Sequence, residues 1–463
     1  MGQKILTDGQ PTVVAVSTPP GVGGIAVVRM SGPEAVGILS RAWKGISPDG
    51  FASHTAHLGW IIDADGNGID QTIATIFRGP NSYTGEDVVE LSCHGSMWIQ
   101  QAIVARLIEC GASPAGAGEF TRRAFLNGRL DLAQAEGVAD MIAASSRASA
   151  RLAASQLRGD FSNRLKTLRD RLIDLGSLLE LELDFSEEDV EFADRSQLIS
   201  LAKEIRQTVD RLASSYKAGN AFKNGVPVAI AGVPNAGKST LLNALVGEEK
   251  AIVSDIPGTT RDVIEDTVEL GGILFRFFDT AGLRESEDTV ESIGIERARK
   301  KIEEAAIVVA LYDPTQPAEP QKDMFRSEIG GMEAKKIVAI TKQDSMECPE
   351  ANLEEISNEN SIIQLSAKTG KGLDQLIEEL VRLSTSEFNP EQELIVTNAR
   401  HYESLRLAEA PLERLIEGLE SGVSADFLSQ DLREVEHHLG AITGEVSSTN
   451  ILHTIFARYC IGK

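Results

Sequence analysis

The sequence predicts a multidomain α/β protein in which an N-terminal α+β domain leads into an α-helical bundle, and a nucleotide-binding unit is inserted into that bundle. Three observations predict this. Short apolar runs separated by turn residues fill Thr12 to Phe120, and from about Leu130 the period becomes helical and contains no proline up to Ala218. A strand-loop-helix pattern at Val228 to Leu245 then opens an alternation of apolar runs and helical stretches, as a parallel sheet covered by helices requires. Helical periodicity returns from Asn398 to Tyr459, so the alternating unit interrupts the helical one, and insertion at an exposed loop permits this.

The length of 463 residues exceeds what one core sustains and predicts three domains: 1–125, 126–220 joined with 386–463, and an inserted 221–385. In the first, strands are expected at Val13 to Val16, Ile25 to Met30, His57 to Ile62, Gln71 to Phe77 and Asp87 to Cys93. Asp65-Gly-Asn-Gly68 is a hairpin turn, and one helix, Met97 to Glu109, closes the domain before Gly111. In the helical part, the acidic break Asp184-Phe-Ser-Glu-Glu-Asp189 reads as a turn between two long helices. The inserted unit is expected to be a doubly wound parallel sheet of six strands, at Val228 to Val233, Val263 to Leu270, Ile273 to Phe278, Ile307 to Tyr312, Ile337 to Thr341 and Ile362 to Leu365.

Composition narrows the function classes. A net charge of −24 opposes tight non-specific binding to nucleic acid, which needs Lys and Arg on phosphates, so any RNA substrate is expected to be held mainly by a partner or a local basic patch. Four scattered cysteines, Cys93, Cys110, Cys348 and Cys460, lack metal-ligand spacing and suit a reducing compartment. The N-terminus has no leader pattern and no apolar run reaches membrane-spanning length, so the expectation is a cytoplasmic protein without a stable membrane anchor. The terminal Cys460-Ile-Gly-Lys463 departs from a prenylation box at Gly462 and Lys463.

Chemistry concentrates in the inserted unit. Gly232 to Ser239 fits Gly-x-x-x-x-Gly-Lys-Ser, read here as Gly-Val-Pro-Asn235-Ala236-Gly237-Lys238-Ser239 and followed by Thr240. Glycines without a Cβ let the backbone turn N–H groups toward phosphate oxygens, Lys238 brings a cation to the β and γ phosphates, and the Ser239 hydroxyl can ligate Mg²⁺. The helix N-terminus adds its partial positive charge. By itself the pattern is compatible with a Gly-rich turn, and the flanking strand and helix argue against that.

Four further patterns follow in order. Ser254-Asp255-Ile256-Pro257-Gly258-Thr259-Thr260 is a switch segment in which Thr260 is the choice for Mg²⁺ and γ-phosphate. Asp279-Thr280-Ala281-Gly282 follows a strand, where Asp279 can reach Mg²⁺ through water and the Gly282 N–H can sense the γ-phosphate. Thr341-Lys342-Gln-Asp344 ends the next-to-last strand, so that Asp344 can accept two hydrogen bonds from guanine; Ser366-Ala367-Lys368 ends the last and is expected to close over the base. The ordered set resembles the translation-factor class of small GTPase domains. It departs from that class at Thr341, where an Asn is usual, and the missing amide predicts a weaker tie to the phosphate loop with looser nucleotide binding. Leu283 follows Gly282 where many GTPases carry a water-orienting Gln, so another polar group must serve. Arg284, Glu285, Glu287, Asp288 and Glu291 are the nearby choices, and the residues alone do not select among them.

Across the whole chain, Thr18-Pro-Pro-Gly-x-Gly-Gly24, Gly79-Pro-Asn-Ser-Tyr-Thr-Gly-Glu-Asp87, Asn127-Gly-Arg-Leu-Asp-Leu-Ala-Gln-Ala-Glu136, the phosphate loop and Cys460-Ile-Gly-Lys463 resemble the tRNA modification GTPases of the MnmE (TrmE) family. The resemblance implies an N-terminal folate-binding-like domain that forms a homodimer, and an inserted Ras-like P-loop GTPase domain. It puts contacts to a tetrahydrofolate derivative (5-formyl or 5,10-methylene form) on Arg29, Glu90, Arg129 and Lys463; residue chemistry alone would read Arg29 and Glu90 as surface charge. It implies a K⁺ ion bound by Asn235 and by backbone oxygens around Ser254, Ile256 and Thr259, and it assigns water orientation to Glu291, with Lys238 on the phosphates. It also implies a flavoprotein partner, MnmG (GidA), in a heterotetramer or larger complex that modifies C5 of a wobble uridine. Cys460 is a candidate nucleophile for that chemistry, against the commoner reading of a buried small hydrophobe. Two rival readings are a ribosome-assembly GTPase switch and a GTP-dependent scaffold with a vestigial folate site. The first would use Gly21-Val-Gly-Gly24 as a KH-type loop, but here that loop is expected between strands rather than helices.

Overall fold

The computed structural model describes residues 10–184, 195–248, 265–279, 304–329, 331–345, 361–445, 449–457, 459 and 462. The chain forms two compact units, one of 1–139, 156–166 and 439–463, the other of 140–155 and 167–438.

The first unit is built on a seven-stranded sheet. Its strands are β1 (Val13–Val16), β2 (Gly23–Ser31), β3 (Trp43–Lys44), β4 (Thr55–Ile62), β5 (Gly68–Phe77), β6 (Val88–Gly95) and β7 (Ser113–Pro114), in the order β3-β4-β5-β6-β2-β1-β7. Every pairing is antiparallel except β1 with β7. Inward residues such as Val28, Met30, Ile61, Ile76 and Leu91 pack with α1 (Ala35–Ala42) and α2 (Met97–Glu109) on one face. The outer face stays apolar at Ile25, Leu58, Trp60 and Ile73, all exposed. Helix α1 is an addition to the sequence reading, which placed a single helix in this domain. Its Val, Ile and Gly residues carry weak helix propensity, and burial of Ala35, Val36, Ile38, Leu39 and Ala42 outweighs that.

Helix α3 (Glu119–Leu126) is fastened to the loop at 79–87 through Arg123, which is 1% exposed. Its guanidinium donates to Glu86 Oε2 at 2.9 Å, Glu119 Oε1 at 3.1 Å, the Ser31 carbonyl at 3.2 Å and the Pro11 carbonyl at 2.9 Å. Ser31 Oγ in turn donates to Glu86 Oε2 at 2.6 Å. The end of the chain returns to this unit. Tyr459 Oη donates to the Ala135 carbonyl at 2.6 Å, and Ser17 Oγ donates to the Gly462 carbonyl at 2.9 Å. At Gly462 φ is +98°, and a Cβ would lie 2.1 Å from the Val16 carbonyl oxygen, so only glycine fits beside β1.

The remaining helices are α4 (Leu132–Ala143), α5 (Arg147–Arg158), α6 (Asp160–Asp184), α7 (Arg195–Ser214), α8 (Tyr216–Asn224), α9 (Lys238–Glu248), α10 (Ala318–Met324), α11 (Leu373–Ser384), α12 (Ala399–Ser421), α13 (Ala425–Thr443) and α14 (Thr449–Phe456). In the second unit α7 packs along α12, burying Leu198, Ile205 and Val209 on one helix and Leu405, Leu412 and Leu415 on the other. The expected turn after Asp184 lies outside the described residues.

The second unit also holds a six-stranded sheet of β8 (Val226–Ala231), β9 (Glu265–Leu270), β10 (Ile273–Asp279), β11 (Ile307–Tyr312), β12 (Lys335–Ile340) and β13 (Ser361–Gln364), ordered β13-β12-β11-β8-β10-β9. Both faces are covered, by Leu241, Leu245 and Leu376 on one side and by Ala305 and Ile329 on the other, which is why the central strands are almost continuously apolar. The sheet is not wholly parallel, as the sequence reading expected: β9 runs antiparallel to β10. Only Gly271 and Gly272, both at positive φ, separate the two, and a parallel pairing needs a crossover of a dozen or more residues.

Because Arg123 neutralises two buried or half-buried carboxylates, Arg123→Met should strand Glu86 and lower unfolding stability by about 3–5 kcal/mol. Urea unfolding checks this; a loss under about 1 kcal/mol would show the network to be dispensable.

Candidate functional site

Strands β8, β11 and β12 are parallel neighbours, so their carboxyl ends open on the same edge, the place where open α/β sheets bind ligands. Three loops meet there. The first runs from β8 to α9. Gly237 adopts φ +101° with open space around its Cβ position, so backbone conformation demands glycine. At Gly232 the reason differs from the one read in the sequence. Its Cβ would press on Leu311 Cβ at 3.1 Å and Ala236 Cβ at 3.3 Å, so a side chain there would need β11 and the loop to give by a few tenths of an ångström. Asn235 is exposed at φ +61°, a region Asn tolerates better than most residues.

Lys238, the first residue of α9, is buried. Its Nζ donates to the Gly232 carbonyl at 2.7 Å and the Val233 carbonyl at 3.1 Å, which keeps the ammonium inside the loop. Ser239 and Thr240 are exposed in the first turn of α9, where the positive end of the helix dipole favours anions. Asp279 ends β10 in register with Ile230 of β8, next to the start of the phosphate loop.

The second loop follows β12. Thr341 is buried, and its hydroxyl donates to the Ala236 carbonyl at 3.1 Å, with the Tyr312 carbonyl 3.3 Å away. The sequence reading expected a weaker tie to the phosphate loop here; the Thr341 hydroxyl does make a direct hydrogen bond to that loop. Lys342 sits at φ +57°, a left-handed conformation that costs a residue with a Cβ about 1–2 kcal/mol. Its Nζ donates to Asp313 Oδ2 at 2.6 Å. Asp344 is exposed and accepts from Ser366 Oγ at 2.7 Å; that hydrogen bond holds its carboxyl below the ordinary aspartate value, so it is an ionised acceptor at neutral pH.

The third loop follows β13. Ser366 is fully buried, and its hydroxyl donates to Asp344 Oδ1, which orients that carboxylate. Ala367 is half-buried and Lys368 exposed beyond it, close enough for its charge to favour ionised Asp344.

The structure also presents residues the sequence reading did not single out. Asp313, fully buried just after β11, accepts from Thr315 N, Thr315 Oγ1, Gln316 Nε2 and Lys342 Nζ. Burial pushes its carboxyl up, and these donors, Lys342 foremost, outweigh burial and hold it below the ordinary value. The run Asp313-Pro-Thr-Gln316 at a strand end was the available signal, since Asp and Thr there favour a local turn.

Of the other predicted residues, Arg29 and Glu90 face each other across β2 and β6 and form an ion pair, Nη2 to Oε1 at 2.7 Å. The Arg29 guanidinium lies 5.4 Å from the Tyr83 ring centroid and 5.6 Å from that of Phe120. Burial pushes the Tyr83 hydroxyl up, keeping it neutral. Arg129 is exposed, with its stem against Gly85 of the loop at 79–87. Gly21-Val-Gly-Gly24 lies between β1 and the first residues of β2, not between helices. Ser254, Asp255, Ile256, Pro257, Gly258, Thr259, Thr260, Thr280, Ala281, Gly282, Glu291, Cys460 and Lys463 lie outside the described residues.

The Gly-Lys-Ser loop at the carboxyl edge of the parallel strands, with an ionised Asp on the loop after β12 at the same edge, defines a P-loop GTPase. Residues 12–129 match the family model described as GTP-binding protein TrmE N-terminus, and residues 132–460 match the MnmE helical domain. The tRNA modification GTPase MnmE of Cytophaga hutchinsonii is 46% identical, covering 100% of both chains. That of Porphyromonas gingivalis is 49% identical, covering 98% of each. Among solved structures, Era in complex with MgGDPNP and a 16S ribosomal RNA fragment is 27% identical over 40% of this chain and 65% of that one, with a TM-score of 0.28. The chain belongs to the MnmE family of tRNA modification GTPases, and it hydrolyses GTP in tRNA modification.

If the Thr341 hydroxyl carries the tie to the phosphate loop, Thr341→Val should remove about 1 kcal/mol, weakening GDP binding roughly fivefold. Calorimetric titration checks this. Unchanged affinity would mean that the contact adds nothing to nucleotide binding.

Proposed function

We propose that this GTPase depends on potassium and, with a flavoprotein partner (MnmG, also called GidA), adds an aminomethyl or carboxymethylaminomethyl group to C5 of the wobble uridine of tRNAs. A tetrahydrofolate derivative supplies the one-carbon unit. In this reading the chain divides into 1–125, 126–220 with 386–463, and the inserted 221–385, and works in the cytoplasm. The observation that carries the reading is the full-length match to the family together with the cradle around Lys238 and Asn235.

Within the cradle, Lys238 faces the β and γ phosphates, and the N–H groups of Ala236 to Thr240 surround them. Mg²⁺, held by the hydroxyls of Ser239 and Thr260, offsets phosphate charge when bound. The exposed amide of Asn235 projects from a turn that places it at the rim of the loop, which suits a ligand to K⁺ completed by backbone oxygens of Ser254, Ile256 and Thr259. A K⁺ ion held there would supply positive charge beside the β and γ phosphates, with Asn235 as its side-chain ligand. Glu291 orients the attacking water. Switch residues Asp255, Pro257, Gly258, Thr280, Ala281 and Gly282 complete the GTP site, with Thr341, Lys342, Asp344, Ser366, Ala367 and Lys368 at the base.

Arg29 and Glu90 fit a folate headgroup. A carboxylate held flat by an arginine accepts from the amino and ring N–H groups of a pterin, with Tyr83 and Phe120 beside it as aromatic surface. Arg129 and Lys463 supply cations for the glutamate tail, and docking of Gly462 on β1, the strand paired with β2, supports Lys463 in that role. The exposed apolar row Leu58, Trp60, Ile73 and Ile25 lies on the same face as Arg29 and Glu90, by strand alternation, and supports a homodimer formed through this sheet. Transfer RNA is held mainly through the partner, in keeping with the net charge of −24.

GTP turnover should rise about tenfold or more when Na⁺ is replaced by K⁺, and Asn235→Ala should abolish that advantage. Equal rates in the two salts would remove the cation from the mechanism. For the one-carbon site, 5-formyltetrahydrofolate should bind the native chain, and Glu90→Gln should weaken it about tenfold by removing a charge-assisted acceptor. Absence of binding to the native chain would instead support a scaffold with a vestigial folate site.

A further inference from the structure

We propose that Asp313 is a positioning residue for guanine recognition, whose buried carboxylate holds the turn at Lys342 from which Asp344 reaches the base and couples that turn, through Gln316, to the phosphate loop. The inference rests on the assignment of Asp344 to guanine and concerns how that contact is kept in place.

The two oxygens of Asp313 divide their work. Oδ1 accepts from Thr315 N at 3.0 Å and Thr315 Oγ1 at 2.6 Å, an ordinary local turn closure. If Asp313 served only its own turn, those two bonds would suffice. Oδ2 accepts from Gln316 Nε2 of the same turn at 2.8 Å and, beyond that turn, from Lys342 Nζ at 2.6 Å. The same Gln316 amide reaches the Pro234 carbonyl of the phosphate loop at 3.2 Å, so one NH₂ group spans the carboxylate and the phosphate loop. The backbone of Asp313 is itself clamped: its N–H donates to Gln321 Oε1 at 2.8 Å, and its carbonyl accepts from Gln321 Nε2 at 2.9 Å, with both residues buried. The carboxylate therefore cannot drift, and what it holds cannot either.

What it holds needs holding. Lys342 adopts a left-handed φ of +57° that its side chain disfavours, and Asp344 stands two residues further on, exposed, with Ser366 Oγ donating to its carboxylate at 2.7 Å. Relaxing Lys342 would swing Asp344 relative to the phosphate loop, and a carboxylate that must meet two N–H groups of one ring edge tolerates little displacement. Guanine offers its ring N–H and exocyclic amine; hypoxanthine offers only the ring N–H. Loss of Asp313 should therefore weaken binding of a guanine nucleotide more than that of its inosine counterpart, whereas a general loosening of the unit would weaken both alike.

The experiment is calorimetric titration of GDP and inosine diphosphate against the native chain, Asp313→Asn and Gln316→Ala. The native chain should prefer GDP by about tenfold or more, the effect of an unpaired carboxylate hydrogen bond. If it shows no preference, the assignment of Asp344 itself is wrong. Given that preference, Asp313→Asn should cut it at least threefold by losing GDP affinity while inosine diphosphate affinity changes less than twofold. Equal losses for both nucleotides, or none for either, would overturn the inference. Should Asp313→Asn not fold, as judged by circular dichroism, the half-buried Gln316→Ala decides in its place: a reduced GDP preference supports the inference and an unchanged one overturns it.

Discussion

The nucleotide site depends on one constraint, that β8, β11 and β12 run parallel and end on a common edge. Parallel pairing forces helices onto both faces and leaves the carboxyl ends of the strands as the open, polar edge of an otherwise dry unit. The phosphate loop, the Asp313 turn and the guanine motif are consecutive across that edge, so bonds such as Thr341 Oγ1 to the Ala236 carbonyl can form between loops more than a hundred residues apart. Close packing of Gly232 on Leu311 belongs to the same constraint, because the loop after β8 must pass directly over β11.

The other unit uses a different device. Its sheet is antiparallel except where β1 meets β7; α1 and α2 cover one face, while on the other Phe120 of α3 packs beside Val13 and Ala15, and Ile25, Leu58, Trp60 and Ile73 stay exposed. Arg29 and Glu90 pair on that face, and Arg123, buried beneath the loop at 79–87, secures α3 and that loop, which carries Tyr83 beside Arg29. Docking of Gly462 beside β1 closes the chain onto the strand that neighbours Arg29's own. The Arg29–Glu90 pair and the segment at Gly462 are thus set on neighbouring strands of one sheet.

Much of this was legible in the sequence. Apolar runs located all six strands of the GTPase sheet and the long strands of the first unit, because burial on one or both faces leaves a period that residue types reveal directly. Helix Met97–Glu109 was read to its ends. Helix α1 was not, although Ala35, Val36, Ile38, Leu39 and Ala42 follow a helical period; eight residues with Val, Ile and Gly among them make a short signal that the sequence reading passed over. The antiparallel β9–β10 pair was readable from the two-glycine link, and treating the unit as uniformly parallel overlooked it. Thr341 shows the limit of motif reading: comparison with the usual Asn predicted a weaker tie, and only the packing reveals that the hydroxyl reaches the Ala236 carbonyl of the phosphate loop.

The sequence by itself determined the chemical inventory and its order: the phosphate loop, the switch and guanine motifs, the acidic surface and the blocks that mark the family. These depend on residue identity and spacing along one local stretch, where short-range sterics and hydrogen bonding dominate. Only the tertiary structure decided which side chains serve one another. Ser366 orients Asp344, Asp313 meets Lys342, and Arg123 joins Glu86 to Glu119, all through contacts of about 3 Å whose partners are set by strand register and packing. A hydrogen bond is lost within an ångström of displacement, and no pattern of residue types specifies position that finely.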